Sequence, residues 1–414
     1  MSTTKTQIYS YRWVILAAYM FLNLTIQIQW LTFAPIRSAA MVYYGVSGPW
    51  IDFLSMSYML IFLILSIPAS YIIDTYGIRT GLGIGAVLAG VSSIFKGFFA
   101  DNFTFVVIGQ IGLAAAQPFV LNAVTALSGR WFPLRERASA AGLAALSQYI
   151  GIIIVMILTP IMITVNYSGS IINEVSGINR ILFIYGIITL VSAITSLVFV
   201  KDKPEFPPEI ETIKRHSFVK GMIHLFKQRN MLILLVLFFL GLGMFNAVTT
   251  MIDSICIGKG FNVEQSGMVG GIMLIGGVIG ALILPILSDK VRKRKIFLVI
   301  CMIGMIPGIA GLHLSTAYPL AMISSFFLGF FVMSAGPIGF QYAAEVSFPT
   351  PESTSQGMIL LVGQISGFVF VAGMGSPSGL NFFMYAFIGF AVLALIGSIM
   401  LGESPMMKDN KLQR

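Results

Sequence analysis

Charge is what this chain of 414 residues has least of: Asp, Glu, Lys and Arg make up 10% of it, against 57% hydrophobic residues. Soluble domains carry roughly 25% charge, so a water-soluble fold is excluded. Cysteine is almost missing too. Cys256 and Cys301 stand far apart in sequence, which excludes a disulfide framework or a cysteine-rich metal centre. The 3 histidines, His216, His224 and His313, show no ligand spacing with one another or with carboxylates, so no metal site is expected. A phosphate-binding loop, a nucleophile elbow and an ATP motif are likewise lacking. The run Gly81-Leu82-Gly83-Ile84-Gly85 sits inside an apolar stretch and makes no nucleotide cradle. The chain is therefore not expected to be an enzyme, and no cofactor is expected.

What remains is apolar run after apolar run. A bilayer crossing takes about 20 such residues, and the sequence offers twelve, near 13–36, 51–73, 80–99, 104–127, 139–164, 181–200, 231–253, 266–287, 296–313, 318–342, 357–375 and 381–401. The expected fold is all-α, with twelve transmembrane helices in two pseudo-symmetric six-helix bundles. The division expected is a bundle over 1–200, a linker over 201–229, and a second bundle with a short tail over 230–414. The first run is longer than a cleavable signal sequence and is expected to stay as an anchor.

Basic residues give the orientation. With the N-terminus inside, only Arg37, Lys96, Arg180 and Lys259 of the 25 Lys and Arg fall on the outer side. Basic side chains resist translocation, so both termini are expected to be cytoplasmic, with the plasma membrane as the site. The net charge of +9 is then a matter of topology and points to no nucleic acid. The linker opens with Pro204, Pro207 and Pro208. From Glu209 to Lys227 it alternates Ile210, Ile213, Met222, Leu225 and Phe226 with Lys214, Arg215, Lys220 and Lys227. That pattern suits either an amphipathic helix on the inner surface or a solvated spacer.

One charge pattern occurs twice. Asp74-Thr75-Tyr76-Gly77-Ile78-Arg79 follows the second run, and Asp289-Lys290-Val291-Arg292-Lys293-Arg294 follows the eighth. Phe132-Pro133 with Gly142, and Phe348-Pro349 with Gly357, form a second repeated pair. Two similar halves of six spans are the layout of an alternating-access transporter. Asp74, Arg79, Arg130, Arg137, Asp289, Arg292 and Arg294 are the expected gating residues, with Arg135 in the same inner cluster: ion pairs and helix-end contacts there hold one face shut while the other opens. Positive-inside topology accounts for the bases but not for the matched acids.

Within the runs, neutral polar groups stand where charge is missing. Asn23, Gln27 and Trp30 share one helical face of the first run, as do Gln110 and Gln117 in the fourth. Phe245 and Asn246 lead to Thr249, Thr250 and Asp253 at helical spacing, and Gln364 lies two turns beyond Gln356. An amide in hydrocarbon either bonds a neighbouring helix or faces a solute; several of them in the first, fourth, seventh and eleventh runs suggest a shared cavity. Asp52 and Asp253 are placed near outer helix ends, exposed to water, and are the candidate coupling residues for protons. Glycines four apart, such as Gly276 and Gly280 or Gly304 and Gly308, are read as helix contacts.

The twelve runs and the paired turns resemble the major facilitator superfamily, with Ser70 where a glycine usually precedes the acid by four. Within it, the chain is similar to the feline leukemia virus subgroup C receptor family. The likeness lies in Gln29-Trp30, in Ile51-Asp52-Phe53-Leu54-Ser55-Met56-Ser57-Tyr58-Met59, in Ala116-Gln117-Pro118-Phe119-Val120-Leu121, in Glu345-Val346-Ser347-Phe348-Pro349 and in Glu352-Ser353-Thr354-Ser355-Gln356-Gly357 with Gln364. The resemblance implies a transporter of choline- or ethanolamine-like amines, with haem also proposed for the family. It also implies central-site roles for Trp30, Gln117 and Gln364. Asn246 stands where the family has an aromatic, so Phe245 or Tyr58 would have to complete a cage. The reading is a monomeric carrier of a small organic solute in a lipid bilayer, working by facilitated diffusion. Its alternatives are a proton-coupled metabolite or drug exporter, and a membrane receptor or scaffold without transport.

Overall fold

The computed structural model describes residues 7–168, 171–206, 208, 218–348, 350, 352–376 and 378–404. The chain divides into two compact units, Met1–Ile213 and Lys214–Arg414. Among the described residues, twelve helical segments are long and apolar enough to cross a membrane, six in each unit.

The first unit begins with a broken span. Helix α1 (Arg12–Leu31) passes through a 3-10 turn at Ala34–Ile36 into α2 (Arg37–Tyr44). Pro35 sits at the start of that turn and supplies no backbone N–H, which is tolerated in a first helical turn. Next come α3 (Gly48–Tyr76) and α4 (Ile78–Phe98), joined by Gly77 alone. Gly77 has φ +96, and a Cβ there would run into the Asp202 carboxylate, so only glycine makes this turn. Helix α5 (Phe103–Leu121) starts on an Asn102 cap, whose Oδ1 accepts from the Thr104 N–H at 3.0 Å. It breaks at Asn122 into α6 (Ala123–Trp131). At the break, the Asn122 amide donates to the Ser66 carbonyl and to the Ser70 hydroxyl, at 2.9 and 3.0 Å. Ser70 therefore clips α3 to α5, a polar contact a glycine could not make. Helices α7 (Leu134–Met162) and α8 (Ile178–Phe199) complete the unit.

Between α7 and α8 stands an element the sequence reading did not foresee. Strands β1 (Thr164–Ser168) and β2 (Ile171–Ser176) form an antiparallel hairpin that packs on α2.

The second unit opens with α9 (Phe218–Lys227), which buries Leu225 and leaves Ile223 and Phe226 exposed. It is the part of the expected amphipathic helix that can be seen; Ile210, Ile213, Lys214, Arg215 and His216 lie outside the described residues. Helices α10 (Arg229–Thr250) and α11 (Ile252–Ile257) follow, then α12 (Val263–Val291), α13 (Lys295–Leu314), α14 (Tyr318–Val346), α15 (Glu352–Met374) and α16 (Gly379–Met400). An Asn262–Gln265 capping box starts α12. Lys259 closes the far end of α13, with Nζ donating to the carbonyls of Leu312, His313 and Ser315 at 2.5–2.7 Å. Helices α12 and α14 meet through glycine. A Cβ at Gly276, Gly280 or Gly329 would strike the backbone of the facing helix, so the spacing read from sequence is close backbone packing.

Candidate functional site

Trp30 occupies the last turn of α1 with its ring 6.5 Å from that of Tyr58 on α3. The two helices are stitched there in both directions. The Trp30 indole donates to the Ser55 carbonyl at 3.2 Å, and the Ser55 hydroxyl donates back to the Trp30 carbonyl at 3.4 Å. On the same three helices, α1, α3 and α5, both amide atoms of Gln27, the Tyr58 hydroxyl and Gln117 Oε1 are buried with no hydrogen-bond partner among the described residues. A buried polar group left unmade costs about 1–3 kcal/mol, and native structures keep few of them. Three helices of one unit thus supply aromatic faces and unused polar atoms from residues singled out in the sequence.

Other candidates are engaged within their own unit. The Asn23 amide donates to the Ala144 carbonyl and Ser147 hydroxyl of α7, at 3.0 and 3.2 Å. In the second unit, Asn246 donates to the Gly363 carbonyl of α15 at 3.3 Å. Phe245 lines an apolar cavity with Met244, Val248, Met273, Leu328, Gly329 and Val332. Gln364 is half-buried. The helical face expected to carry Asn246 through to Asp253 is interrupted, because the chain breaks at Met251 between α10 and α11.

Three placements correct the sequence reading. Asp52 is not open to water: it is 3% exposed, and Arg37 holds it in a two-pronged pair at 2.5 and 2.8 Å. Such a fork supplies the counter-charge that makes burial tolerable. Asp253 is also fully buried, enclosed with Ile252, Ile255 and Cys256 on the inner side of a short helix. Lys96, counted among the outer bases, is fully buried in the last turn of α4, because α5 approaches α4 closely at Gly109. Burial pushes the Cys256 thiol up to about 12, with the Asp253 charge adding to the effect.

The first acid–base turn is built differently from what the repeated motif suggested, whereas in the second Asp289 does pair with Arg294. Asp74 and Arg79 are both exposed. The acid that organises this end of the first unit is Asp202, which accepts from the Ile78 N–H at 2.7 Å and pairs with Arg130 at 2.8 Å. It caps α4 with a negative charge while tying in the end of α6. Arg137 donates to the Phe132 carbonyl at 3.1 Å, and the Arg135 side chain lies outside the described residues.

In the second unit Arg294 is 4% exposed and pairs with Glu345 at 3.1 Å and with Asp289, while Arg292 turns the chain at φ +55. Glu403 accepts from the N–H groups of Arg294 and Lys295 at 2.8 and 3.2 Å, capping α13 as Asp202 caps α4. Sequence reasoning passed over both caps. A signal existed: Asp202-Lys203-Pro204 and Glu403-Ser404-Pro405 each put an acid two residues before proline, just after the last span of a half.

The model of the Major Facilitator Superfamily matches residues 15–371. The chain belongs to that superfamily. Among curated relatives, it is 27% identical over 419 residues to the choline/ethanolamine transporter FLVCR2 of Rattus norvegicus, spanning 94% of this chain and 74% of that one. It is 29% identical over 380 residues to solute carrier family 49 member A3 of Danio rerio, spanning 88% and 78%. Among solved structures, a bacterial homologue of the human lysosomal transporter Spinster superposes with a TM-score of 0.73 at 15% identity, over 95% of this chain and 98% of that one. A D-xylose–proton symporter gives 0.70 at 14%, over 96% and 99%. This superfamily protein is accordingly a membrane transporter with the facilitator fold. Family and fold give no ground for a catalytic activity.

Proposed function

We propose that this transporter carries a small organic amine of the choline or ethanolamine class by alternating access, moving it down its own gradient across the plasma membrane, with both termini cytoplasmic. The observation that carries the reading is the Trp30–Tyr58 aromatic pair together with the unpartnered Gln27 amide, Tyr58 hydroxyl and Gln117 Oε1. Aromatic faces attract a quaternary ammonium without demanding hydrogen bonds, worth about 0.5–2 kcal/mol per ring. The free amide oxygens and the hydroxyl suit the alcohol or ammonium hydrogens at the other end of such a solute. Gln364 and Asn246 of the second unit are kept as further candidate solute contacts in this reading. Asp74, Arg79, Arg130, Arg137, Asp289, Arg292 and Arg294 serve as the gate, with Asp202 and Glu403 holding their helix ends.

The rival reading is proton coupling, favoured by the full burial of Asp253. Uptake of labelled choline into proteoliposomes, with and without an imposed pH gradient, separates the two. Downhill uptake indifferent to the gradient supports facilitated diffusion. Concentrative uptake that needs the gradient and is lost in Asp253→Asn would replace it.

A further inference from the structure

Lys96 is a buried ionisable residue that neither the site nor the gate uses, and its surroundings give it a task. It is fully buried, its Cβ lies against Gly109, and Nζ donates to Gln110 Oε1 at 2.9 Å with the Phe33 ring 5.9 Å away. No carboxylate stands within ion-pair distance among the described residues. A lysine inside a membrane segment is costly, and its presence marks function by default.

The use of Lys96 follows from what a lysine can do. As an ammonium it donates and never accepts. Facing Lys96, Gln110 must present its carbonyl oxygen, which leaves Nε2 for the other side. There Nε2 donates to the Gln29 carbonyl at 3.0 Å. That carbonyl lies in the last turn of α1, where intrahelical partners run out; among the described residues its other side-chain donor is the Thr32 hydroxyl, at 3.4 Å. The Gln29 side chain is itself anchored to Thr189 of α8 at 2.9 Å. The end of α1 is thus held by its backbone to α5 and by its side chain to α8, one residue before Trp30 and just ahead of the 3-10 break. With an apolar residue at 96, the Gln110 amide loses one of the two partners that set its direction. Flipped, it would turn an oxygen toward the Gln29 oxygen.

We infer that Lys96 is a positioning residue for the solute site: by fixing the direction of the Gln110 amide it holds the last turn of α1, and Trp30 with it. The step from Trp30 to solute rests on the amine reading above; the tether does not. Two readouts therefore belong in one experiment, on Lys96→Met, Gln110→Leu and the double variant. Hydrogen exchange is read over peptides spanning 29–38 in detergent, without solute. Choline uptake is read in proteoliposomes. Losing one buried partner predicts exchange faster by about tenfold in that segment, with KM for choline raised by a similar factor and kcat within about twofold. The double variant should be no worse than Gln110→Leu alone, since both act through one bond. Should Lys96→Met fail to fold, Gln110→Leu carries the same expectation. Unchanged exchange over 29–38 in either variant overturns the inference. So does a rise confined to kcat. Faster exchange in a protein whose parent takes up no choline would support the tether and sink the choline reading alone.

Discussion

Replacing Asp202 separates two contributions that the structure places on one carboxylate. Asp202→Ala removes both the cap on the Ile78 N–H and the Arg130 pair; Asp202→Asn removes the charge but keeps a side-chain oxygen for the cap. A lost helix cap costs about 1 kcal/mol. The ion pair is worth less, since both side chains are about a third exposed, 31% for Arg130 and 38% for Asp202, and half-exposed pairs contribute about 0.2–1 kcal/mol. The alanine variant should therefore lose about 1–2 kcal/mol locally, and the asparagine variant well under 1. Hydrogen exchange at the first turn of α4 reads this directly, because local opening there breaks the bonds in question. Protection should fall by about five- to thirtyfold in Asp202→Ala, with tenfold corresponding to about 1.4 kcal/mol, and by less than about fivefold in Asp202→Asn. Equal loss in both variants would show that charge, and not capping, dominates. No loss in either would refute the assignment of Asp202 as the residue that organises this end of the unit.

Other consequences are as definite. Gly77→Ala forces a side chain into a conformation that essentially only glycine adopts, against the Asp202 carboxylate; a loss of about 1–3 kcal/mol should appear as a lower thermal midpoint in detergent. Glu345→Ala leaves the buried Arg294 without its main partner, and removing half of a buried pair costs about 3–5 kcal/mol, so this variant should unfold well before Asp289→Ala, whose carboxylate is 63% exposed. Cys256 is buried and its thiol is pushed up to about 12, so maleimide labelling of the native protein should be slow at neutral pH and rapid only after denaturation.

The twelve spans were legible because hydrocarbon leaves the backbone few options, and a run such as 231–253 reads as a helix whatever it packs against. The breaks inside spans were not. Asn122 marks the break in the fourth span, where its amide bonds to α3, a contact no periodicity displays, and the first span passes into a 3-10 turn at Pro35. The hairpin at 164–176 did leave a trace, in the polar cluster Ser168-Gly169-Ser170 between short β-branched stretches. Trp30, Gln27 and Gln117 stood out as site candidates because amides and aromatics are conspicuous in apolar runs. Whether each one bonds a neighbour is decided by helix rotation, which is why Asn23 and Asn246 turned out to be engaged. The matched acids at Asp74 and Asp289 drew attention away from Asp202 and Glu403, which reach the same turns from far along the chain.

The central claim is that the Trp30–Tyr58 pair and the free amides of the first unit receive an organic cation. Equilibrium binding of labelled choline to the purified protein tests it most directly, set beside Trp30→Ala and Gln117→Leu and competed with ethanolamine and with glucose. The account predicts saturable choline binding that ethanolamine displaces and glucose does not, weakened about tenfold or more by either substitution. Binding unaffected in both variants, or equal displacement by glucose, would contradict it.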